Sequence, residues 1–196
     1  MTSSQPLERS RRLPLRTKLA FSAGSVEEAI VGAASMATML FYNQVLGLSA
    51  GLCGVVFLIA SIVDGVSDPL IGAFSDRFKS RWGRRHPLML FAAMPLAIAF
   101  YCLYQPPDGL TETGLFTWFL GFMVLMRTAK TFYTVPHAAL GAELTEDYHE
   151  RTSIFGYNSV VGMIAGIGFG LFILLVVFPS TPEFSNGLLN ESRYSL

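Results

Sequence analysis

The sequence predicts an all-α membrane protein with five transmembrane helices, and three observations carry that reading. Hydrophobic residues make up 52% of the 196-residue chain, charged residues only 14%, and the mean hydropathy is +0.46. Its apolar runs approach the ~20 residues that a helix needs to cross a bilayer. These runs are rich in Leu, Ile, Phe, Gly and Ala without strand alternation, and in lipid a helix satisfies its own backbone groups internally. Such a composition excludes an ordinary soluble domain and makes the lipid bilayer the first partner.

Each element follows from the order of apolar runs and turn formers. Residues 1–18 form a basic tail carrying Arg9, Arg11, Arg12, Arg16 and Lys18. The apolar segment after it is too long for a cleaved signal and contains Glu27 and Glu28, so the tail is expected to stay attached. The first helix is predicted over 19–46 and the second over 52–78, joined by the uncharged turn "GLSAG". A third covers 87–104, and the turn-rich "QPPDGLTET" separates it from a fourth at 115–140, which Pro136 is expected to kink near its end. The fifth covers 153–178, and residues 179–196, "PSTPEFSNGLLNESRYSL", read as a polar extracytoplasmic tail.

The formal net charge is zero, which gives no reason to expect a nucleic acid partner. Its distribution says more. Lys and Arg are retained on the cytoplasmic side of membranes. They concentrate in the N-terminal tail, in the second connection (Arg77, Lys79, Arg81, Arg84, Arg85) and in the fourth (Arg151), with few in the loops between. The expected protein is therefore integral to the plasma (inner) membrane, with its N-terminus in the cytoplasm. Cys53 and Cys102 both lie in apolar runs and read as small buried hydrophobes rather than as a disulfide or metal site.

Ionisable groups inside a span are costly and are functional hypotheses by default. Asp64 and Asp68, four apart, share a face of the second helix, with Ser61 one turn before them. On the fourth helix Arg127, Lys130, Thr131 and Thr134 follow i, i+3, i+4, i+7 spacing, so cations and hydroxyls share one stripe. These charges could simply neutralise one another at a helix interface. Yet Glu27, Glu28, Asp64 and Asp68 outnumber Arg127 and Lys130, which leaves room for a coupling Na⁺ or H⁺ and for no other cofactor. Gly162, Gly166 and Gly170 form a small-residue face suited to close helix packing. His137 and His149 fit no metalloprotease pattern and read as loop or helix-end residues. No nucleophile and base come together as an intramembrane enzyme would require.

The stretch "DPLIGAFSDRFKSRWGRRHP", from Asp68 to Pro87, resembles the helix 2 to 3 signature of the glycoside-pentoside-hexuronide:cation symporters, the melibiose permease-like branch of the major facilitator superfamily. "LFYNQVLGLSAGLCGVVFLIASIVDGVSDP" and "YTVPHAALGAELTEDYHERT" are similar to the same family's helix 1 to 2 and helix 4 to 5 regions. The resemblance implies a cation-coupled transporter of a sugar or glycoside-like solute working by alternating access between two six-helix halves. This chain would supply five helices of the N-terminal half, as a truncated product whose missing partner is the C-terminal half.

Residue by residue, the resemblance implies cation binding at Asp64, Asp68 and Thr131, a Na⁺ site being possible at the two acids. It implies solute contact at Glu28. Departures are clear: Ser61 stands where melibiose permeases have an arginine, Thr134 and Ala138 replace an Asp and a Trp that bind sugar, and Asn158 falls near a helix 5 arginine. Thr134 and Asn158 are therefore expected in solute binding with altered specificity, and Arg127 and Lys130 in charge balance. Asp76, Arg77 and Arg84 are the expected gating residues, through charge-assisted contacts of the helix 2 to 3 loop. Two alternatives stand beside this reading: a non-transporting membrane subunit or scaffold fragment, and a transporter of lysolipids or other solutes with the same fold.

Overall fold

The computed structural model describes residues 12–78, 80, 81, 83 and 85–179. Among these residues there are no strands, and five helical spans run through the bundle. The first is broken: α1 (Leu15–Ser22) and α2 (Ser25–Leu40) meet at a two-residue turn, and a π turn over Phe41–Val45 ends the span. Next come α3 (Ala50–Arg77), α4 (His86–Leu103), α5 (Glu112–Glu143) and α6 (Tyr148–Phe172), the last extended by a π turn over Ile173–Val177. Three helices, Ala50–Arg77, His86–Leu103 and Tyr148–Val177, are long and apolar enough to cross a membrane by length and composition alone. The first span carries Glu27 and Glu28 and α5 carries Arg127 and Lys130, which lower their hydropathy, whereas α3 stays strongly apolar in spite of Asp64 and Asp68.

Helix starts follow from local capping. Gly47, at φ +75°, makes the turn that delivers Ser49, whose hydroxyl accepts the Leu52 N–H. Thr111 caps α5 by accepting from the Gly114 N–H at 3.2 Å. The Asp147 carboxylate accepts from the His149 and Glu150 N–H groups at 2.7 and 3.1 Å. Each cap satisfies orphan donors of a first turn. They start α5 and α6 some residues earlier than hydrophobicity predicts, because a cap, unlike a span, has no need of apolar residues. At the other end α5 continues through the buried Pro136 to Glu143.

The helices alternate in direction. α5 packs against α3 and α4, while α1 and α2 pack against α6. The apolar core lies at one end, near the α2–α3 and α4–α5 turns. There Phe41, Tyr42, Cys53, Val56, Leu103, Phe119 and Met123 are buried together. Tyr42 stacks on Phe119 with ring centroids 3.8 Å apart, and its hydroxyl donates to the Leu103 carbonyl at 2.7 Å. The Trp118 indole N–H donates to the Cys102 carbonyl at 2.9 Å. At the C-terminus of α4 the Leu103 carbonyl thus takes an aromatic donor from a neighbouring segment, and the Cys102 carbonyl accepts from the indole as well as from the Gln105 N–H. In lipid such contacts and close packing, rather than escape from water, hold helices together.

Outward-facing residues agree with lipid as solvent. Leu58, Ile62, Val66 and Leu70 repeat every four residues along α3 and are all exposed. α4 exposes Phe91, Met94 and Ile98, and α6 exposes Ile164, Ile167 and Leu171. A soluble bundle does not present apolar stripes of this extent.

Candidate functional site

α5 packs against α3 and α4 and reaches α1 and α2 through its longer side chains, and one of its faces carries a polar side chain at nearly every turn. Arg127 is the first: its Nε lies 3.0 Å from Asp64 Oδ2, and its Nη1 donates to Ser61 Oγ at 3.1 Å, both on α3. One turn on, Lys130 Nζ lies 3.7 Å from Glu28 Oε1 on α2. Tyr133 follows, its hydroxyl donating to the Gly24 carbonyl at 3.1 Å. His137 completes the series, with Nε2 2.9 Å from the Phe21 carbonyl oxygen. A single stripe at i, i+3, i+6, i+10 therefore joins α5 to three other segments.

The last two contacts explain the break in the first span. Phe21 and Gly24 flank the turn, and both carbonyls are taken up by α5 side chains. The His137 ring stacks on Phe21 at 4.3 Å and on Tyr133 at 5.7 Å. A Cβ on Gly24 would overlap the His137 ring, and one on Gly141 would overlap Phe21, so both positions require glycine for close approach. His137 is thus a buried residue within α5, not the loop or helix-end residue its neighbourhood of Pro136 suggests.

The remaining predicted residues take different places. Asp68 is exposed and has no ion pair among the described residues, though it lies one turn from Asp64 on the same helix. Thr131 is buried, and its hydroxyl donates to the Arg127 carbonyl at 3.1 Å; Thr134 does the same to Lys130 at 3.2 Å. Both hydroxyls are therefore turned to their own helix. Asn158 sits on α6, where its backbone carbonyl accepts from Ser25 Oγ at 3.0 Å while its side-chain Oδ1 is buried with no partner among the described residues. Among the described residues no three His, Cys, Asp or Glu side chains gather as a metal cluster.

At the end of the bundle opposite the apolar core the connections are ionic. Arg85, nearly buried, reaches Asp76 at 3.1 Å and Glu143 at 2.9 Å, so it ties the end of α3 to the end of α5. Arg77 is exposed, and Arg84 lies outside the described residues. Arg85 is the residue that sequence reasoning passed over. It stands among five bases in the loop, and only the position of Glu143 distinguishes it. A second tie joins α1 to α6: Lys18 Nζ lies 2.8 Å from Glu150 Oε2 and donates to Ser153 Oγ at 2.9 Å. The Leu13 N–H also donates to Glu150, at 3.3 Å.

Comparison with known proteins places this architecture. The profile of the family described as MFS/sugar transport protein matches residues 20–195. An uncharacterized symporter of Synechocystis is 33% identical over 180 residues, which cover 89% of this chain and 33% of that relative. An inner membrane symporter of Escherichia coli is 31% identical over 160 residues, covering 81% of this chain and 35% of the relative. An isoprimeverose transporter of Lactiplantibacillus pentosus is 26% identical over 158 residues, covering 79% and 31% respectively. The chain spans about a third of the length of these curated relatives. A profile match along nearly the whole described bundle shows the family: the chain belongs to the MFS/sugar transport proteins, in the melibiose permease-like branch of symporters, which are transporters and not enzymes.

Proposed function

We propose that this chain forms part of a cation-coupled transporter that carries a sugar or glycoside-like solute by alternating access, with Na⁺ or H⁺ as the coupling ion. The observation that carries the reading is the unequal state of the acids facing α5. Asp64 is held by Arg127 at 3.0 Å, whereas Asp68, one turn away on the same helix, is exposed and has no ion pair among the described residues. A cation arriving at Asp68 competes with Arg127 for Asp64, so its binding alters the contact between α3 and α5. Occupancy is thereby translated into helix position, as coupling requires.

In this reading Asp64, Asp68 and Thr131 form the cation site, while Glu28, Thr134 and Asn158 face the solute. Arg127 and Lys130 balance charge when the site is empty. Asp76, Arg77 and Arg84 belong to the gate, joined by Arg85. The basic end of the bundle is cytoplasmic, and the length by which the relatives exceed this chain supplies the facing half.

The test is uptake into vesicles containing the chain together with the remainder of the transporter. Asp68→Asn is expected to abolish uptake driven by a Na⁺ or proton gradient while preserving solute exchange, which needs the solute site but no gradient. Uptake that survives both Asp64→Asn and Asp68→Asn would remove the basis for the coupling site.

A further inference from the structure

The pairs Asp64–Arg127 and Glu28–Lys130 leave one further intramembrane acid whose surroundings are unlike those of Asp68. Glu27 lies on α2; the residue as a whole is partly buried, but both of its carboxylate oxygens are buried and have no hydrogen-bond partner among the described residues. The residue borders a cavity of ≈ 630 Å³ between α2 and α4, with Val26, Ile30, Ala93, Leu96 and Tyr133 among its walls. Burying a carboxylate that nothing pairs is among the most costly arrangements a protein can hold, and the cost disappears when the group is neutral.

The groups that face Glu27 do not supply a counter-ion in contact. Glu28 is its neighbour on α2 and is a like charge. Lys130, on α5, acts on it from a distance while its ammonium lies 3.7 Å from Glu28. Tyr133, also on α5, directs its hydroxyl to the Gly24 carbonyl. From α4 the cavity receives Tyr101, and α6 meets α2 nearby through Ser25 and Asn158, all uncharged. A metal cation needs several oxygen ligands, and the walls here are largely aliphatic carbon. A proton needs only the carboxylate.

We propose that Glu27 is a proton-carrying site, separate from the Asp64 and Asp68 position. This rests on the transport reading only for its use, since the site itself is defined by the burial of Glu27. In the arrangement seen here the carboxyl is neutral. When movement of α2 admits water, the O–H bond breaks, the proton passes to water, and the carboxylate competes with Glu28 for Lys130. Release of the proton is thereby linked to a change of partner at the solute side of α5.

Infrared spectroscopy of the chain in lipid vesicles at neutral pH tests this without requiring transport. A carbonyl stretch of a protonated carboxyl is expected in samples carrying ¹³C-labelled glutamate, shifted by the label. It should vanish in Glu27→Gln and persist in Asp68→Asn and Glu28→Gln. Glu27→Asp covers the case in which Glu27→Gln does not insert, because the band should then shift with labelled aspartate instead of labelled glutamate. Absence of the band from the unaltered chain, its persistence in Glu27→Gln, or its failure to follow the label in Glu27→Asp would overturn the proposal. Absence of the band from the unaltered chain while gradient-driven uptake is intact would remove this proton site alone. A band without any solute uptake would instead count against the transport reading.

Discussion

Asp64 and Arg127 meet at 3.0 Å between α3 and α5, and neither is fully shielded, with side chains 25% and 31% exposed. A partly buried pair of this kind contributes less than its gross attraction, but removing one member strands the other. Asp64→Asn or Arg127→Gln alone is therefore expected to destabilise the bundle by about 1–3 kcal/mol, the range for leaving a polar group unsatisfied. The double variant should recover part of that loss. Thermal unfolding in detergent measures it, and strictly additive losses would show that the pair is not coupled.

The turn at Gly24 leads to a steric prediction. Because the His137 ring occupies the space that a Cβ would need, Gly24→Ala should destabilise by about 1–3 kcal/mol, as overpacking does. His137→Ala should reverse most of the steric part in the same background. Equal stability of Gly24→Ala and the unaltered chain would mean that the first span is free to shift away from α5.

Arg85 and Arg77 are neighbours in charge but not in role. Arg85 bridges Asp76 and Glu143, whereas Arg77 is exposed. Arg85→Ala is expected to raise the proteolytic sensitivity of the α3–α4 connection at least several-fold, and Arg77→Ala to leave it nearly unchanged. Limited proteolysis of both variants in parallel reads the difference; the reverse order would transfer the tie to Arg77.

Orientation can be tested independently of activity. Reporter fusions in the loop around Arg81 should read as cytoplasmic, and fusions after Phe178 as extracytoplasmic, following the Lys and Arg distribution. The opposite pattern would invert the proposed sidedness of the gate.

The five spans were legible because each is dominated by apolar residues, and the stripe on α5 because Arg127 and Lys130 stand out at helical spacing. Which acid each base would meet was not legible: that depends on how α5 packs against α3 and how far its side chains reach toward α2, a property of packing and not of spacing. The break after Ser22 was hidden for a different reason. Ala23 and Gly24 do not interrupt hydrophobicity, and the side chains that hold the turn, Tyr133 and His137, come from more than 100 residues away in the chain. His137 likewise read as a loop or helix-end residue, yet it is buried within α5, which continues to Glu143.

The two ends of the bundle are bonded by different chemistry. At one end Tyr42, Phe119 and Trp118 lock together through ring contact and donation to helix carbonyls. At the other, Arg85 and Lys18 hold helix ends through carboxylates. The ionic ties are held by buried groups, Arg85 being 8% exposed and Lys18 and Glu150 10% and 11%, so losing one partner there strands a charge away from water, whereas trimming a ring at the other end forfeits contact and leaves a void. A single substitution at the ionic end is consequently felt on two helices at once, while one at the aromatic end is absorbed by the side chains that line the gap.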